Sequence, residues 1–362
     1  MTAPEDRQAR LASVRARLDE LGLPALLVTD ITNVCWLSGF TGSSGYVLLG
    51  PNRTIFATDS RYTEQARSEC LGFELVTLET SGPDEVAGLL KGLRADCVGF
   101  EASRVSVHLH RLISEALRGV TTLEPTVDLI DQLRLVKSAL EIRAIEAACA
   151  VADRAVAHVL PQLRPGVSER DLMLELEWFV RRTCGAEVAF PSIVLTGART
   201  ALPHGRPGQQ KIAPGDFVLF DFGARVDGYC SDITRTFVVG RATDEQRRVY
   251  RVVHEALERS IAAVLPSAAG KDVDAVARDH IGAAGYGAYF GHGLGHSIGL
   301  AVHDGPTLGK RSATVLAPGM VTTVEPGIYL PHLGGVRIEQ DLVVEREGPR
   351  VLTQASTELT EL

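Results

Sequence analysis

The stretch FVLFDFGARVDGYCSDITRTFVVG, residues 217–240, decides how the C-terminal half of the chain folds. Apolar, strand-like runs flank Asp227-Gly228, and an Asp-Gly pair between two such runs is a strong signal for a β-hairpin turn. With the turn there, Asp221 and Asp232 lie diagonally across the ladder on one face, about 7–8 Å apart at the backbone. A buried, unpaired carboxylate is costly. The hairpin therefore predicts either a cation held between the two aspartates or two exposed acids near a turn.

Further along, the run GHGLGHSIGLAVHDGP, residues 291–306, contains His292, His296 and His303. Its many glycines argue against a helix and favour extended chain that passes close to a ligand. Histidine binds metals and transfers protons near neutral pH. A lone histidine is usually structural, whereas three within a short glycine-rich run favour a functional site.

Two more acids, Glu325 and Glu339, lie in the apolar, strand-like runs VTTVEPGIYL and GGVRIEQDLVV. Arg337 precedes Glu339 by two positions, so we expect both on one strand face, where the arginine can orient a ligand carboxylate. Each glutamate alone is equally consistent with an exposed acid on a strand. Together with the hairpin and the histidines, they form a carboxylate-rich set that suits Mn, Co or Zn ions. Two such ions lower the pKa of bound water, which predicts hydrolysis.

Composition narrows the class of protein. The 362 residues are 45% hydrophobic and 23% charged, and the formal net charge of -8 argues against a nucleic-acid-binding surface. The polar N-terminus lacks the apolar segment of a secretory signal, and the sequence has no apolar run of 18 residues that predicts a membrane span. Six scattered cysteines without a CxxC pair predict reduced thiols and a cytoplasmic location.

Two domains are expected from the order of the elements. Helical and strand-like stretches alternate up to about residue 130, which predicts an α/β domain over residues 1–132. The remainder, residues 133–362, is expected to be α+β. Ser138 and Glu141 have the spacing of a capping box at the start of a long helix. Helices are expected at residues 5–22, 138–163, 168–185 and 244–264, the last being the only one expected after residue 187.

Several blocks, in this order, resemble the pita-bread metallopeptidases in the branch of prolidase (Xaa-Pro dipeptidase) and aminopeptidase P. They are FDFGARVDGYCSDITRT, GHGLGHSIGLAVHDGP, TTVEPGIYL and GVRIEQDLVV. The N-terminal WLSGFTGSSGYVLL and FATDSRYTEQA resemble the creatinase-like N-terminal domain of that branch. The resemblance covers nearly the whole chain and implies an α/β creatinase-like domain followed by an α+β pita-bread catalytic domain.

The resemblance implies a site for two divalent metal ions. Asp221 would bind one ion, and His296 and Glu325 would bind the other. Asp232 and Glu339 would bridge both. In the family the residue that matches Glu325 is also the usual candidate for the base that moves a proton toward the departing proline nitrogen.

Substrate-side groups are implied as well. His204, in ALPHGRPG, lies where the family places a substrate-side histidine. His292 and His303 match the histidines that contact the substrate and the tetrahedral intermediate, and His303 would help to stabilise the oxyanion. These roles come from the resemblance alone.

One departure from the family concerns the substrate carboxylate. Many dipeptide-specific prolidases carry an arginine a few residues after the third histidine, where this chain has residues 304–307, DGPT. Arg311 and the more distant Arg61, in DSRY, are the candidates that replace it. This departure puts strict dipeptide specificity in doubt, whereas the short chain resembles small microbial prolidases.

The resemblance implies hydrolysis of the Xaa-Pro bond in proline-containing dipeptides or short peptides. An Xaa-Pro aminopeptidase acting on longer peptides stays open, because the same site serves both. Two further classes stay open as well: a methionine aminopeptidase, which usually lacks such an N-terminal domain, and a non-catalytic pita-bread binding module. The family also implies a homodimer, in which DSRYTEQA contacts the neighbouring site; no nucleic-acid or membrane partner is expected.

Overall fold

A computed structural model describes residues 4–80 and 82–362 of the chain. The chain divides into two units, Met1–Arg134 and Leu135–Leu362. No helix in the described part has the length and the apolar character that crossing a lipid bilayer requires. Each of the six cysteines, all within the described residues, is a thiol and not part of a disulfide.

The N-terminal unit contains a mixed sheet with the strand order β4-β3-β2-β1-β5-β6. Its strands are β1 (Leu26–Val28), β2 (Tyr46–Leu49), β3 (Thr54–Asp59), β4 (Glu74–Leu78), β5 (Cys97–Glu101) and β6 (Thr122–Thr126). Its helices are α1 (Pro4–Leu21), α2 (Ile31–Ser38), α3 (Thr63–Glu69), α4 (Pro83–Gly92), α5 (Val107–Leu117) and α6 (Leu129–Arg134). β2 and β3 form an antiparallel hairpin, and β5 runs parallel to β1 and β6. Parallel neighbours need crossover connections, usually helices, so the α/β prediction is confirmed.

The C-terminal unit combines long helices with short, mostly antiparallel strands. Its helices are α7 (Ala139–Val159), α8 (Glu169–Trp178), α9 (Asp244–Ala263) and α10 (Gly270–Ala283). Its first strands are β7 (Glu187–Val188), β8 (Ile193–Thr196), β9 (Phe217–Phe222), β10 (Ala224–Val226), β11 (Tyr229–Cys230) and β12 (Ile233–Val238). The later ones are β13 (Gly295–His296), β14 (Thr307–Leu308), β15 (Val321–Val324), β16 (Gly327–Leu330), β17 (Gly334–Arg337), β18 (Gln340–Glu345) and β19 (Gly348–Val351). The α+β prediction is confirmed.

The predicted hairpin is the first support of the site. β9 pairs with β8 and β12, and Asp221 lies opposite Thr234 in this ladder. The turn forms at Asp227-Gly228, where φ is +50° and +88°, the left-handed values that a two-residue hairpin turn requires. Asp221 and Asp232 are therefore diagonal neighbours on one face, as the sequence predicted.

Local signals also place α7 correctly. The Ser138 side chain accepts from the Glu141 amide and the Glu141 side chain accepts from the Ser138 amide, which completes the capping box. Along α7, Ala152, Ala155 and Val159 contribute to a core of apolar side chains that extends to β9 and β12. The helix thus supports the back of the strands that carry the aspartates.

The prediction of a single helix after residue 187 is wrong, because α10 follows α9. Its first residue is Gly270, a poor helix former, and Ala269 before it supplies no capping side chain, so local signals for its start are weak. The helix instead depends on packing. Val273, Ala277 and Ile281, spaced four residues apart, are buried in the core that α10 shares with α9.

Candidate metal centre

Side chains from separate elements meet at the C-terminal unit's hairpin. Asp232, His296 and Glu339 each place one ligand atom within 4.8 Å of the others, and all three are buried. Asp232 directly precedes β12, His296 ends β13 and Glu339 directly precedes β18. Glu339 is held there because its amide donates to the Thr234 carbonyl at 3.1 Å. Residues far apart in the sequence therefore converge on one point.

Glu325 and Asp221 complete the predicted set beside this group of three. Glu325 Oε1 lies 3.6 Å from His296 Nε2, and the Glu325 amide donates to the Leu294 carbonyl at 2.7 Å. The Asp221 carboxylate on β9 forms an ion pair with Arg337 Nη2. Glu325 and Glu339 both lie at breaks between strands, not inside them, so they leave the regular ladder. We call Asp221, Asp232, His296, Glu325 and Glu339 the metal centre.

The His296 ring presents a lone pair to these acids. Its Nδ1 faces the Ser297 carbonyl at 3.2 Å, so Nδ1 carries the proton and Nε2 does not. Burial, with the nearby His303 ring, lowers the pKa of His296 to about 4. Nε2 lies 3.6 Å from both Asp232 Oδ2 and Glu325 Oε1. A lone pair that faces two carboxyl groups is an arrangement that suits a cation bound among them.

The carboxyl groups of the metal centre also oppose one another. Burial, together with the neighbouring carboxylates, raises the pKa of Asp232 well above its usual range, and the same causes raise that of Glu339. Burial raises the pKa of Glu325 to about 8, partly offset by the positive charge of Arg337. Asp232 Oδ1 is buried without a hydrogen-bond partner in the described part of the chain. These groups need further positive charge to be ionised together at neutral pH.

Thr234 and Arg337 orient the carboxylates. The Thr234 hydroxyl donates to Glu339 Oε2 at 2.7 Å and accepts from Arg337 Nε at 3.0 Å. Arg337 also binds Asp221, so one guanidinium orients carboxylates on two sides of the metal centre. Partners of this kind fix ligand orientation and ligand basicity in metal sites. The side chain of Arg337 is only 4% exposed, which limits competition from solvent.

Tyr329 and Asp341 were missed by the sequence analysis. Arg337 Nη1 donates to the Tyr329 hydroxyl at 2.8 Å, which in turn faces His292 Nε2 at 2.8 Å. Asp341 Oδ2 accepts from the Asp232 amide at 2.9 Å and from the Cys149 thiol at 3.3 Å. The alternation along IEQDL was the available signal, because Asp341 follows Glu339 by two positions in an otherwise apolar strand.

Of the predicted substrate-side histidines, His292 is the most restrained. Its Nδ1 donates to the Gly293 carbonyl at 2.7 Å, which leaves Nε2 to accept from Tyr329. Burial, with the charge of Arg337, lowers the pKa of His292 to about 4. The His292 carbonyl accepts from Arg278 Nη2 at 2.8 Å. Both ring nitrogens are therefore engaged, and the ring is neutral at neutral pH.

The remaining predicted residues are on the surface. His303 is exposed, and its ring lies 4.2 Å from the His296 ring at 90°. His204 is exposed in the loop after β8. Arg311 is exposed after β14. Arg61, in the N-terminal unit, pairs with Asp59 at 2.9 Å. Of these residues, the structure brings His303 into contact with a residue of the metal centre.

The donor set fits divalent ions. Four carboxylates and one neutral imidazole are ligands that Mn, Co and Zn accept at sites that catalyse reactions, whereas structural zinc sites favour thiolates. Cys149 and Cys230 are buried nearby, but burial raises the pKa of both thiols, so neither offers a thiolate. The arrangement is suited to hold cations and to hydrolyse a bond next to them.

Comparisons with known proteins agree with this chemistry. Residues 143–346 match the model of metallopeptidase family M24, and residues 10–136 match the creatinase/prolidase N-terminal domain. An Xaa-Pro dipeptidase of Pyrococcus horikoshii is 35% identical over 344 residues, which cover 94% of this chain and 96% of the relative.

Solved structures give the same result. An Xaa-Pro dipeptidase from Bacillus anthracis matches with a TM-score of 0.94 and 42% identity, over 98% of this chain and 100% of that one. An X-Pro aminopeptidase from Thermotoga maritima matches with a TM-score of 0.89 and 37% identity, over 97% and 99%. The chain therefore belongs to metallopeptidase family M24 and combines a creatinase-type N-terminal domain with a pita-bread C-terminal domain.

Proposed function

We propose that this protein is an Xaa-Pro dipeptidase whose metal centre holds two divalent ions, Mn, Co or Zn. The observation that carries the proposal is the position of His296 Nε2, 3.6 Å from both Asp232 Oδ2 and Glu325 Oε1, with Nδ1 directed at the Ser297 carbonyl. The names of the relatives support proline-specific cleavage, because full-length matches include Xaa-Pro dipeptidases of two organisms. When bound, the ions supply a nucleophile by lowering the pKa of water, and they polarise the scissile carbonyl.

The proposed ligand roles follow the resemblance to the family. Asp221 would hold one ion, His296 and Glu325 would hold the other, and Asp232 and Glu339 would contribute to holding both. This assignment is consistent with the contacts of Thr234 and Arg337, which orient the Glu339 and Asp221 carboxylates.

Glu325 is the proposed proton carrier. Its Oε1 lies 3.6 Å from His296 Nε2, and a carboxylate at such a site accepts a proton and releases it again in general acid–base catalysis. It takes a proton from the attacking water and delivers it to the proline nitrogen that leaves. In this scheme His303 donates to the carbonyl oxygen as negative charge develops there. His292 and His204 contribute to substrate binding in this scheme.

An Xaa-Pro aminopeptidase is the second candidate. One observation favours it: residues 304–307, DGPT, follow His303 where many dipeptide-specific prolidases carry an arginine for the substrate carboxylate. The similarity to the X-Pro aminopeptidase from Thermotoga maritima has the same implication. Arg311 and Arg61 stay the candidates for carboxylate binding in a dipeptidase.

Peptide length tests the two candidates. Purified full-length protein is freed of metal with a chelator and reloaded separately with Mn, Co and Zn. Hydrolysis of an Xaa-Pro dipeptide, an Xaa-Pro-Yaa tripeptide and an Xaa-Ala dipeptide is then measured. Cleavage of the first alone supports the dipeptidase, and preference for the tripeptide supports the aminopeptidase. Equal cleavage of the Xaa-Ala control, or activity that needs no metal, rejects the proposal.

The proposal also covers the domain organisation, the cellular location and the oligomeric state of the enzyme. Residues 1–132 are assigned to the creatinase-like domain and residues 133–362 to the catalytic domain. A cytoplasmic homodimer is part of the proposal, because the family commonly forms dimers. Sedimentation velocity of the purified protein measures the oligomeric state.

A further inference from the structure

A buried ion pair lies beneath the loop that carries His303. Lys137 Nζ and Asp304 Oδ2 are 3.5 Å apart, and the two side chains are only 1% and 4% exposed. Lys137 lies two residues before the first turn of α7, and Asp304 directly follows His303. A charged pair with so little exposure is expensive to bury. Such a pair calls for a specific role in the surrounding structure.

The backbone around Asp304 brings His303 to His296. The Asp304 amide donates to the Ser297 carbonyl at 2.8 Å, and the Ser297 amide donates to the Pro306 carbonyl at 3.0 Å. His296 and His303 are the chain neighbours of Ser297 and Asp304, and their rings meet at 4.2 Å. These two backbone hydrogen bonds therefore hold the segment around Asp304 against Ser297, next to the two histidines.

The side chains of His303 and Asp304 face opposite ways. His303 is exposed, whereas Asp304 is buried and points under the loop. There its carboxylate crosses the backbone of Gly299 so closely that a Cβ at Gly299 would lie 2.1 Å from Asp304 Oδ2. The same Cβ would lie 3.1 Å from Lys137 Cε. The loop thus closes around the ion pair, and a side chain at position 299 would displace the Asp304 carboxylate.

Lys137 is itself anchored to the strand that leads into the metal centre. Its amide donates to the Gly319 carbonyl at 2.9 Å. The preceding residue, Val136, forms an isolated antiparallel β-bridge with Met320, the residue before β15. β15 ends one residue before Glu325. The lysine therefore joins the element that positions Glu325 to the loop that positions His303.

We propose that Lys137 is a positioning residue, whose ammonium group holds the Asp304 carboxylate and thereby keeps His303 beside His296. This inference rests on the proposed function, in which His303 stabilises the developing negative charge. Lys137 contacts no substrate and acts only through the loop. A displacement of about 1 Å at a catalytic group can cost about a hundredfold in rate.

The first test combines Lys137→Met with His303→Ala in the metal-loaded full chain. Lys137→Met retains the length of the side chain and removes its charge. We expect it to lower kcat about tenfold to a hundredfold, with KM and bound metal unchanged within about twofold. Lys137→Arg should recover most of kcat. In the His303→Ala background, Lys137→Met should have almost no further effect, because the group through which it acts is gone.

The second test does not depend on activity. Hydrogen exchange of the metal-free full chain is compared between the wild type and Lys137→Met. Protection should fall over residues 297–306 and stay unchanged over residues 217–238. Asp304→Asn removes the pair from the other side and should reproduce both results, so the test stays decisive if Lys137→Met does not fold. Lys211→Met, at an exposed lysine of the same unit, is the matched control and should change nothing.

The outcomes separate this inference from the proposed function. Independent, multiplying effects of Lys137→Met and His303→Ala on kcat would overturn it, as would loss of bound metal or unchanged protection of the loop. If the wild type does not cleave Xaa-Pro bonds, the proposed function fails, and the role of Lys137 in catalysis fails with it. Loss of loop protection in that case still shows that the ion pair holds the loop.

Discussion

Each unit of the molecule contains a buried carboxylate cluster, and the two clusters differ in how the acids are balanced. In the N-terminal unit, Glu101 Oε2 accepts from the Thr29 amide at 2.6 Å and the Asp30 amide at 2.8 Å. Its Oε1 accepts from Asn33 Nδ2 at 2.7 Å. In the metal centre, Asp232 Oδ1 has no such donor within the described residues. We call the first set, Thr29, Asp30, Asn33 and Glu101, the Glu101 cluster.

The comparison separates a structural acid from a ligand. Glu101 and Asp232 are both nearly inaccessible to solvent, so burial alone does not distinguish them. What differs is the direction of the neighbouring groups. Backbone and amide donors point at Glu101, whereas a histidine lone pair and other carboxylates face Asp232. A buried acid without protein donors is therefore the better indicator of a cation site.

The largest effect should come from Asp232→Asn. The amide is nearly isosteric but removes the charge of a proposed bridging ligand, and metal catalysis is worth several kcal/mol. We expect a loss of about a thousandfold in Xaa-Pro hydrolysis and a lower metal content, measured by elemental analysis. Asp153→Asn is the control, because Asp153 accepts from the amides of Gln354 and Ala355. Full activity of Asp232→Asn would remove the metal centre from the mechanism.

Removal of metal should next expose a pH dependence of stability. Without cations, burial holds the pKa of Glu325 at about 8, above its ordinary 4.5, and raises those of Asp232 and Glu339. The folded state then binds more protons than the unfolded state, so its stability is greatest below about pH 4.5 for these groups and falls as pH rises toward 8.

Denaturation at a series of pH values, with and without metal, measures this effect. The midpoint of the metal-free protein should decrease between pH 5 and pH 8 relative to the metal-loaded protein, whose carboxylates are neutralised. Asp232→Asn in the metal-free state should reduce the decrease, because one of the opposing charges is gone. Parallel curves for the two forms would show that cations do not balance these acids.

Glu101→Gln should have the opposite consequence in the other cluster. The glutamine amide keeps one accepting oxygen but replaces the other with an NH2 group that only donates, so at least one buried donor loses its partner. We expect the free energy of unfolding to fall by about 2 kcal/mol, with unchanged metal content. Urea denaturation of the full chain measures the change. Glu69→Gln, at a more exposed acid that also accepts a backbone amide, is the control. An unchanged free energy of unfolding in Glu101→Gln would mean that the donors around Glu101 do not stabilise it, and the two clusters would then not differ in this respect.

The sequence was most informative where a signal is local. The Asp227-Gly228 turn and the Ser138 capping box depend on residues close in the chain, and both predictions are confirmed. The acids and histidines in these runs predicted a cation site, the family resemblance assigned Asp232 and His296 as ligands, and the structure places both in one group. Their roles stay predictions, because two bound ions are needed to show them.

Other features depend on contacts that local patterns do not encode. Asp341 accepts a hydrogen bond from the Asp232 amide, 109 positions away in the sequence, and no local pattern at either residue predicts that contact. Tyr329 becomes relevant only because Arg337 on the neighbouring strand donates to it. α10 was missed since its start lacks a cap and its stability comes from packing on α9. Tertiary contacts, not propensity, decide all three.

The smallest predicted effect isolates the hydrogen bond that orients Glu339. Thr234 and Thr236 are both buried on β12, but their hydroxyl groups have different partners. The Thr234 hydroxyl donates to the Glu339 carboxylate of the metal centre. The Thr236 hydroxyl donates to the Arg337 carbonyl at 2.9 Å. Replacement by valine removes the hydroxyl and nearly preserves volume, so each variant should lose about 1 kcal/mol of stability. Thr234→Val should also weaken metal binding about tenfold, measured by titration against a competing chelator, because loss of an outer partner costs at least that much. Thr236→Val should bind metal like the wild type, and equal weakening in both variants would mean that strand stability, not carboxylate orientation, controls the affinity.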